Sequence, residues 1–547
     1  MKTALTRASI ALLAVASLGL AGCTADRGND AGPALEDGEL LQVTPAATGE
    51  IDTVTWNSTY GELATLDPIK AFNYPENTII SNLCESLFQM QPDFSVEPNL
   101  ASGFEVLDDS TRYVFQIRDD VTFWDGTPMT ADDVVYSLNR HLDPAEGSYL
   151  ASSFADVTGI EKTGEWEVTL TLSEPNAILD EELATNLGAV VQQKQREAAG
   201  ENYGNPEAGV MCTGPFQLGE WKQGQSISLD RYDGYWNAEK RAKAKEVVIG
   251  FVVDPTAIAT GLSTGEIQGS YDVPLPALGQ LSTSSTGSLS YGQGMQIMAI
   301  ISTGNGAFGD PAVRRALTRA TDRQAIADTV YEGTGTPSRS VVPQGPWNRY
   351  PEVAAQRDAE LPDLGHDLEA AKAELEAATV DLSQPIKIAY PSERAFYADI
   401  LNEMANGAKE LGLTLEPTGV PSAQFGAFFS DPEARKGYDG FVTTNYLSSP
   451  SPLAHLDNVA YTGSQQNYSG FSDPAIDAAI DAAFAESDPE KRAELTVDAE
   501  ALVMQQQPWV PINDLAVRLY LDKAVTGVPA SFVYLYYPWA ADLGSAE

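Results

Sequence analysis

NLASGFEVLDDSTRYVFQIRDDVTFWDGTPMTADDVVYSL, residues 99–138, holds a strand pattern, a turn and a helix start, and the duty of its acids decides what kind of protein this is. Apolar and polar side chains alternate in TRYVFQIR (111–118), as a half-buried strand requires. Asp125-Gly126 followed by Thr127-Pro128 is turn chemistry, joining an expected strand VTFW (121–124) to a helix. Thr130 stands at the N-cap, and Asp133 three residues later reaches back to the free amides, a capping box with Asp in place of Glu. Asp132 favours the positive end of the same helix. All three acids have structural tasks, and their spacing is not that of a calcium loop.

Outward from this stretch, short β-rich runs alternate with longer helical ones, as in α/β proteins. Strands are expected at EWEVTLTL (165–172), QSISLDRY (225–232) and KEVVIGFV (245–252). Helices are expected over 75–88, 311–331, 367–378, 395–412 and the run 474–506. The Ser/Thr-rich LSTSSTGSLS (281–290) separates two such blocks and is the expected boundary between them. The β-like tail after about Pro511 must pair with something earlier in the chain.

The first residues indicate where the protein works. MKTALTRASIALLAVASLGLAGC has a short basic head, Lys2 and Arg7, and an apolar run from Ala8 to Leu20 too short for a permanent membrane span. It ends in Leu20-Ala21-Gly22-Cys23, which resembles a bacterial lipobox and implies a signal peptide over 1–22 and lipidation of Cys23. Residues 23–50 are polar, rich in Gly, Pro and Ala, and read as a lipidated flexible tether, with the folded body starting near Ile51. With Cys23 so used, Cys84 and Cys212 are the remaining thiols, and outside the cytoplasm such a pair is expected to form a disulfide. His141, His366 and His455 are far apart in sequence and no CxxC occurs, so neither a metal site nor a resident cofactor is expected.

The chain's 547 residues, 43% hydrophobic, exceed what one core uses, so two or more lobes are expected. Its formal charge of −44 repels phosphate backbones and anionic headgroups, which argues against nucleic acid as a partner and leaves lipid on Cys23 as the only membrane anchor.

The opening stretch resembles the signature region of the family 5 solute-binding proteins, the oligopeptide- and dipeptide-binding receptors of ABC importers. Further blocks agree: TLDPIKAFNYPENTIISNLCESLF, CTGPFQLGEWKQGQSISLDRYDGYW, DPAVRRALTRATDRQAIADTVYEGTGTP and the segment from FSDPAIDAAIDAAF to QQQPWVPI. The similarity runs from about residue 51 to about 540. It implies an α/β two-lobed periplasmic-binding fold of type II with the extra subdomain of the peptide-binding cluster. Lobe I would span 51–292 with the subdomain at about 80–190, lobe II 293–512, and residues 513–547 would return to lobe I. It further implies a monomeric, extracytoplasmic lipoprotein that holds a small solute, most often a peptide, and passes it to permease subunits driven by a cytoplasmic ATPase. No catalysis is implied. Relatives that take oligosaccharides, opines, metal complexes or haem leave the ligand open.

The candidate ligand-binding residues follow from segments that border the cleft in relatives: Phe72, Asn73 and Tyr74 after TLDP, Tyr149, Tyr291, Met295, Met298 and Tyr446. Where peptide-binding relatives carry a tryptophan and an amine-binding aspartate, YDGFVTTNYLSSPSPLAHLDN places Asn445 and Ser448, so an amine on the ligand would need another acid, for which Glu393 is the candidate. A hydrolase has one foothold, Gly261-Leu262-Ser263-Thr264-Gly265, a GxSxG pattern with His455 later in the chain. It lacks a preceding strand, because Pro255–Thr260 reads as helix.

Overall fold

The computed structural model of the protein describes residues 40–108 and 110–547; Cys23 and the apolar run before it lie outside them. The fold is mixed α/β. An eleven-stranded sheet runs, in order, through Leu415–Val420, Ile386–Pro391, Gly440–Tyr446, Gly287–Ser302, Trp509–Asp522, Gly269–Ser270, Ile51–Asn57, Ala244–Gly250, Ser226–Arg231 and Phe216–Lys222, with Gly335–Pro337 added on Trp509–Asp522. A separate antiparallel sheet of four strands, Ala101–Leu107, Arg112–Ile117, Glu167–Leu172 and Val157–Gly164, stands apart from it.

Two long strands join the halves of the large sheet. Gly287–Ser302 and Trp509–Asp522 pair antiparallel from Gly287 opposite Asp522 to Ile301 opposite Trp509. The run from Met295 to Ser302 is buried throughout, which is why it reads as one apolar block without alternation. Its register slips twice. One slip lies between Gly292 and Gln296; the other sets Ala299 opposite Pro511, a residue that cannot donate to the ladder. At the first, backbone passes so close that a Cβ on Gly292 would sit 1.9 Å from the Ala530 carbonyl oxygen, and one on Gly294 1.8 Å from that of Leu515. Only glycine fits either position.

Several sequence expectations need correction. VTFW is no strand: Thr122 makes an isolated bridge to Pro128, and Gly126, at φ 78°, turns the chain back before a ladder can form. The helix expected over 75–88 stops at Leu83, where Cys84 turns extended and bonds to Cys212. That bond closes a separation of 128 residues and contributes about 2–4 kcal/mol. The helix over 311–331 is two, Pro311–Ala320 and Arg323–Thr329, because Asp322 caps the second by accepting from the Ala325 amide at 2.9 Å. The run 474–506 breaks likewise at Asp488-Pro489. The long strand crosses position 292 without interruption and begins inside the Ser/Thr-rich stretch. Residues 40–49, assigned to the tether, lie along the body: Leu41 donates to the Tyr291 carbonyl, and Thr44 donates to that of Val528 through both its amide and its hydroxyl. Backbone pairing of that kind leaves no apolar periodicity to read.

The acids of 123–138 are structural. Asp125 accepts from the Thr127 amide and hydroxyl and from Gln192, Asp132 pairs with Lys162 at 2.7 Å, and Asp133 accepts from the Thr130 amide and hydroxyl. Deeper in the fold, Arg314 donates to the Gln506, Gln507 and Phe308 carbonyls, closing the end of Pro489–Gln506. Arg357 and Glu500, both buried, form an ion pair at 2.7 Å, and the guanidinium also reaches Gln344 and the Val342 carbonyl. With every guanidinium nitrogen donating at least one hydrogen bond, that buried charge is tolerated.

Two buried histidines make folding sensitive to acid. His141 bonds Ser148 and His455 the Val341 carbonyl, and burial pushes both down to about 4. The unfolded chain protonates near 6.5 while the folded one refuses the proton, so their stabilisation is full above about pH 6.5 and is lost as pH falls toward 4. Buried acids such as Asp457, raised to about 7, act in the opposite sense. The urea midpoint is therefore expected to fall less steeply between pH 6.5 and 4.5 in a His141→Gln/His455→Gln variant than in wild type; parallel curves would show that the histidines are not responsible.

Candidate functional site

The strand Gly440–Tyr446, the loop that leads into helix Tyr74–Leu83, and the turn before helix Ala395–Glu410 converge on a cavity of about 580 Å3. Its walls are largely aromatic. Phe72 lies flat on Tyr149, ring centroids 4.4 Å apart; Tyr74 packs against Tyr60 at 4.4 Å and edge-on to Tyr446 at 5.1 Å. Phe425, Phe429 and Tyr468 close the opposite side. A smaller chamber of about 100 Å3 adjoins it, sharing Phe72, Tyr149, Asn445, Tyr446 and Gln466, and adding Ala71, Leu150, Thr185, Asn186, Ser448 and Tyr536.

Hydrogen bonds set these rings in place. The Tyr446 hydroxyl donates to the Phe72 carbonyl at 2.9 Å and accepts from Asn77 Nδ2 at 3.3 Å, while Asn77 Oδ1 accepts from Asn186 at 2.7 Å. The Tyr74 hydroxyl accepts from Gln296 Nε2 at 2.7 Å. Tyr397 shares its hydroxyl with Thr444, donating to Oγ1 at 2.9 Å and accepting from the amide at 3.1 Å. Burial pushes the Tyr74 and Tyr446 hydroxyls well above the ordinary tyrosine range, so both stay neutral.

The charges are few and one-sided. Arg394 is the single ionic side chain in the walls of the larger chamber, and its guanidinium makes no ion pair or hydrogen bond to protein among the described residues. No Asp or Glu lines either chamber. The acid behind the aromatic wall, Asp272, is buried, accepts from Tyr534 at 2.6 Å and Tyr60 at 3.5 Å, and is pushed up by desolvation against the pull of Arg518.

Of the residues expected from sequence, Phe72, Asn73, Tyr74, Tyr149, Asn445 and Tyr446 line the larger chamber, and Ser448 the smaller. Four do not line either. Tyr291 lies on the long strand opposite Arg518; Met295 and Met298 are fully buried in the core, Met298 behind Thr444. Glu393 is exposed, and its Oε2 accepts from the Ser422 amide at 2.9 Å and hydroxyl at 2.6 Å, which holds it below the usual carboxylate range. It caps a turn and lines neither chamber. Its neighbour Arg394 was missed, as were Tyr60, Tyr397, Phe425, Phe429, Gln466 and Tyr468. No motif marks them. The hydrolase foothold fails on geometry: Ser263 lies inside helix Pro255–Thr264 and donates to the Ala259 carbonyl at 2.7 Å, and His455 Nε2 is committed to Val341.

Comparison with known proteins gives a consistent picture. The family model "Bacterial extracellular solute-binding proteins, family 5 Middle" matches residues 95–467. The glutathione-binding protein GsiB of Salmonella paratyphi A is 25% identical over 471 residues, covering 82% of this chain and 86% of that one. Among solved structures, the binding protein AgaA of A. tumefaciens R10 in complex with agropinic acid has a TM-score of 0.76 at 23% identity, covering 90% of this chain and 99% of that one. The oligopeptide-binding protein AppA of Bacillus subtilis with a nonapeptide has a TM-score of 0.73 at 21% identity, covering 91% and 100%.

Tyr446 is the clasp of the site, since it holds the Phe72 loop from another strand. Tyr446→Phe removes that donor and is expected to lower unfolding free energy by about 1 kcal/mol and to speed amide exchange in residues 71–73. An unchanged exchange rate there would show that packing alone holds the loop.

Proposed function

The chain belongs to the bacterial extracellular solute-binding proteins of family 5, and on that premise we propose that its ligand is a small solute with a carboxylate or similar anionic end and no free amine, a peptide with a blocked amine being the leading example. Charge carries the choice. In a molecule of formal charge −44, the walls of the larger chamber hold one unpaired guanidinium and no acid. An ammonium group brought there would be desolvated without a counter-ion, whereas a carboxylate would meet a planar donor fork.

Capture follows from the joined halves of the sheet. We take residues 51–292 with 513–547 as one lobe and 293–512 as the other, turning about the slipped register of the two long strands, so that the solute is enclosed by closure and no bond is broken. Phe72, Tyr74 and Tyr149 come from the first lobe and Arg394, Asn445 and Tyr446 from the second. The closed form is what a permease of an ABC importer would accept. Anchoring through a lipid on Cys23 would keep the receptor beside that permease, and two or more acyl chains suffice for stable attachment.

Calorimetry with an N-acetylated dipeptide and its C-terminal carboxamide tests the anionic end. The free carboxylate is expected to bind more tightly, and Arg394→Gln to abolish that preference, a loss of about 1.5–3 kcal/mol. Equal affinity for the two forms in wild type would remove Arg394 from the site. For anchoring, Cys23→Ser is expected to move the protein from the membrane fraction to the soluble one; persistence in the membrane pellet would show that another element holds it.

A further inference from the structure

Asn445 and Gln466 are the two side-chain amides common to both chambers. Neither side chain makes a hydrogen bond to protein among the described residues, and Asn445 Nδ2 and Gln466 Oε1 are closed to solvent as well. Amides beside them are employed: Asn186 donates to Asn77 at 2.7 Å, and Gln465 accepts from Ser152 at 3.4 Å. A buried donor and a buried acceptor left unpaired cost free energy until something pairs them. Terminal amide torsions are broad, so each side chain turns its orphan atom into the cavity at little cost.

One chemical group answers both at once. A secondary amide offers a carbonyl oxygen to the donor and an N–H to the acceptor, so it pairs with both when one side chain presents its N–H and the other its oxygen. What lies on each side of that amide is set by the two chambers. The smaller is walled by Ala71, Leu150, Thr185, Asn186, Ser448 and Tyr536, with no charge, and suits a neutral substituent; the larger holds Arg394. We infer that Asn445 and Gln466 read a secondary amide at the junction of the chambers, with a neutral acyl group in the smaller chamber and the carboxylate at Arg394. The solute class is then an N-acylated amino acid or short N-acylated peptide, an identification that rests on the receptor reading above.

Three probes test this on the full chain by calorimetry: N-acetyl-phenylalanyl-alanine, O-acetyl-phenyllactyl-alanine, in which an ester oxygen replaces the acetamide N–H, and phenylalanyl-alanine with its free amine. The N-acetyl compound is expected to bind about tenfold more tightly than the ester, because the ester leaves the acceptor unpaired. The ratio should fall to near one in Gln466→Leu, whose urea midpoint is measured alongside; if that variant does not fold, the wild-type ratio decides alone. Equal binding of amide and ester in wild type, or a preference that survives in folded Gln466→Leu, overturns the junction and leaves the Arg394 reading standing. Tighter binding of the free-amine dipeptide, or no binding of any probe, overturns the N-acyl class together with the reading beneath it.

Discussion

The pairing of Gly287–Ser302 with Trp509–Asp522 is the constraint on which the rest depends. It brings together parts of the chain more than two hundred residues apart, and it places Gly440–Tyr446 on one flank and the strands around Ile51–Asn57 on the other. Closing so long a loop costs chain entropy before any contact repays it, and the burial of Met295–Ser302 and of nearly all of Trp509–Asp522 supplies the return. The slips at Gly292 and Pro511 interrupt the ladder between the two halves of the sheet. Gly294 meets the Leu515 backbone of the partner strand and Gly292 that of Ala530, so the packing there is set by steric contact that no other side chain permits.

That pairing also makes the cavity. Phe72, Tyr74 and Tyr149 arrive from one half of the chain and Asn445, Tyr446 and Arg394 from the other, and the Tyr446 hydroxyl links the halves at the Phe72 carbonyl. Several rings are fixed by partners behind them, such as Gln296 behind Tyr74 and Thr444 beside Tyr397. Arg394, Asn445 and Gln466 are among the wall side chains that make no hydrogen bond to protein among the described residues.

The same economy explains the acids and arginines outside the site. Asp125, Asp132 and Asp133 hold a turn and a helix start, and Arg314 closes a helix end. Arg357 with Glu500 ties Pro351–Glu360 to Pro489–Gln506. Family membership is carried by these scaffold stretches, which is why it was legible without any knowledge of the ligand.

Local chemistry is what the sequence by itself determined. Turn residues, capping acids, alternation in 111–118 and the ordered blocks established an α/β receptor and most of its elements, because these depend on neighbours a few residues apart. Of the wall, Phe72, Asn73, Tyr74, Tyr149, Asn445, Tyr446 and Ser448 were legible through segments alone. Tertiary structure decided the rest. YPSERAF offers Glu393 and Arg394 equally to a reader, but the Ser422 amide and hydroxyl take the glutamate and leave the arginine facing the cavity. Met295, Met298 and Tyr291 have the right composition for a ligand wall and were turned elsewhere by the pairing of the long strand. Which face of a strand meets a cavity is settled by its partners, and for these strands the partners lie hundreds of residues away.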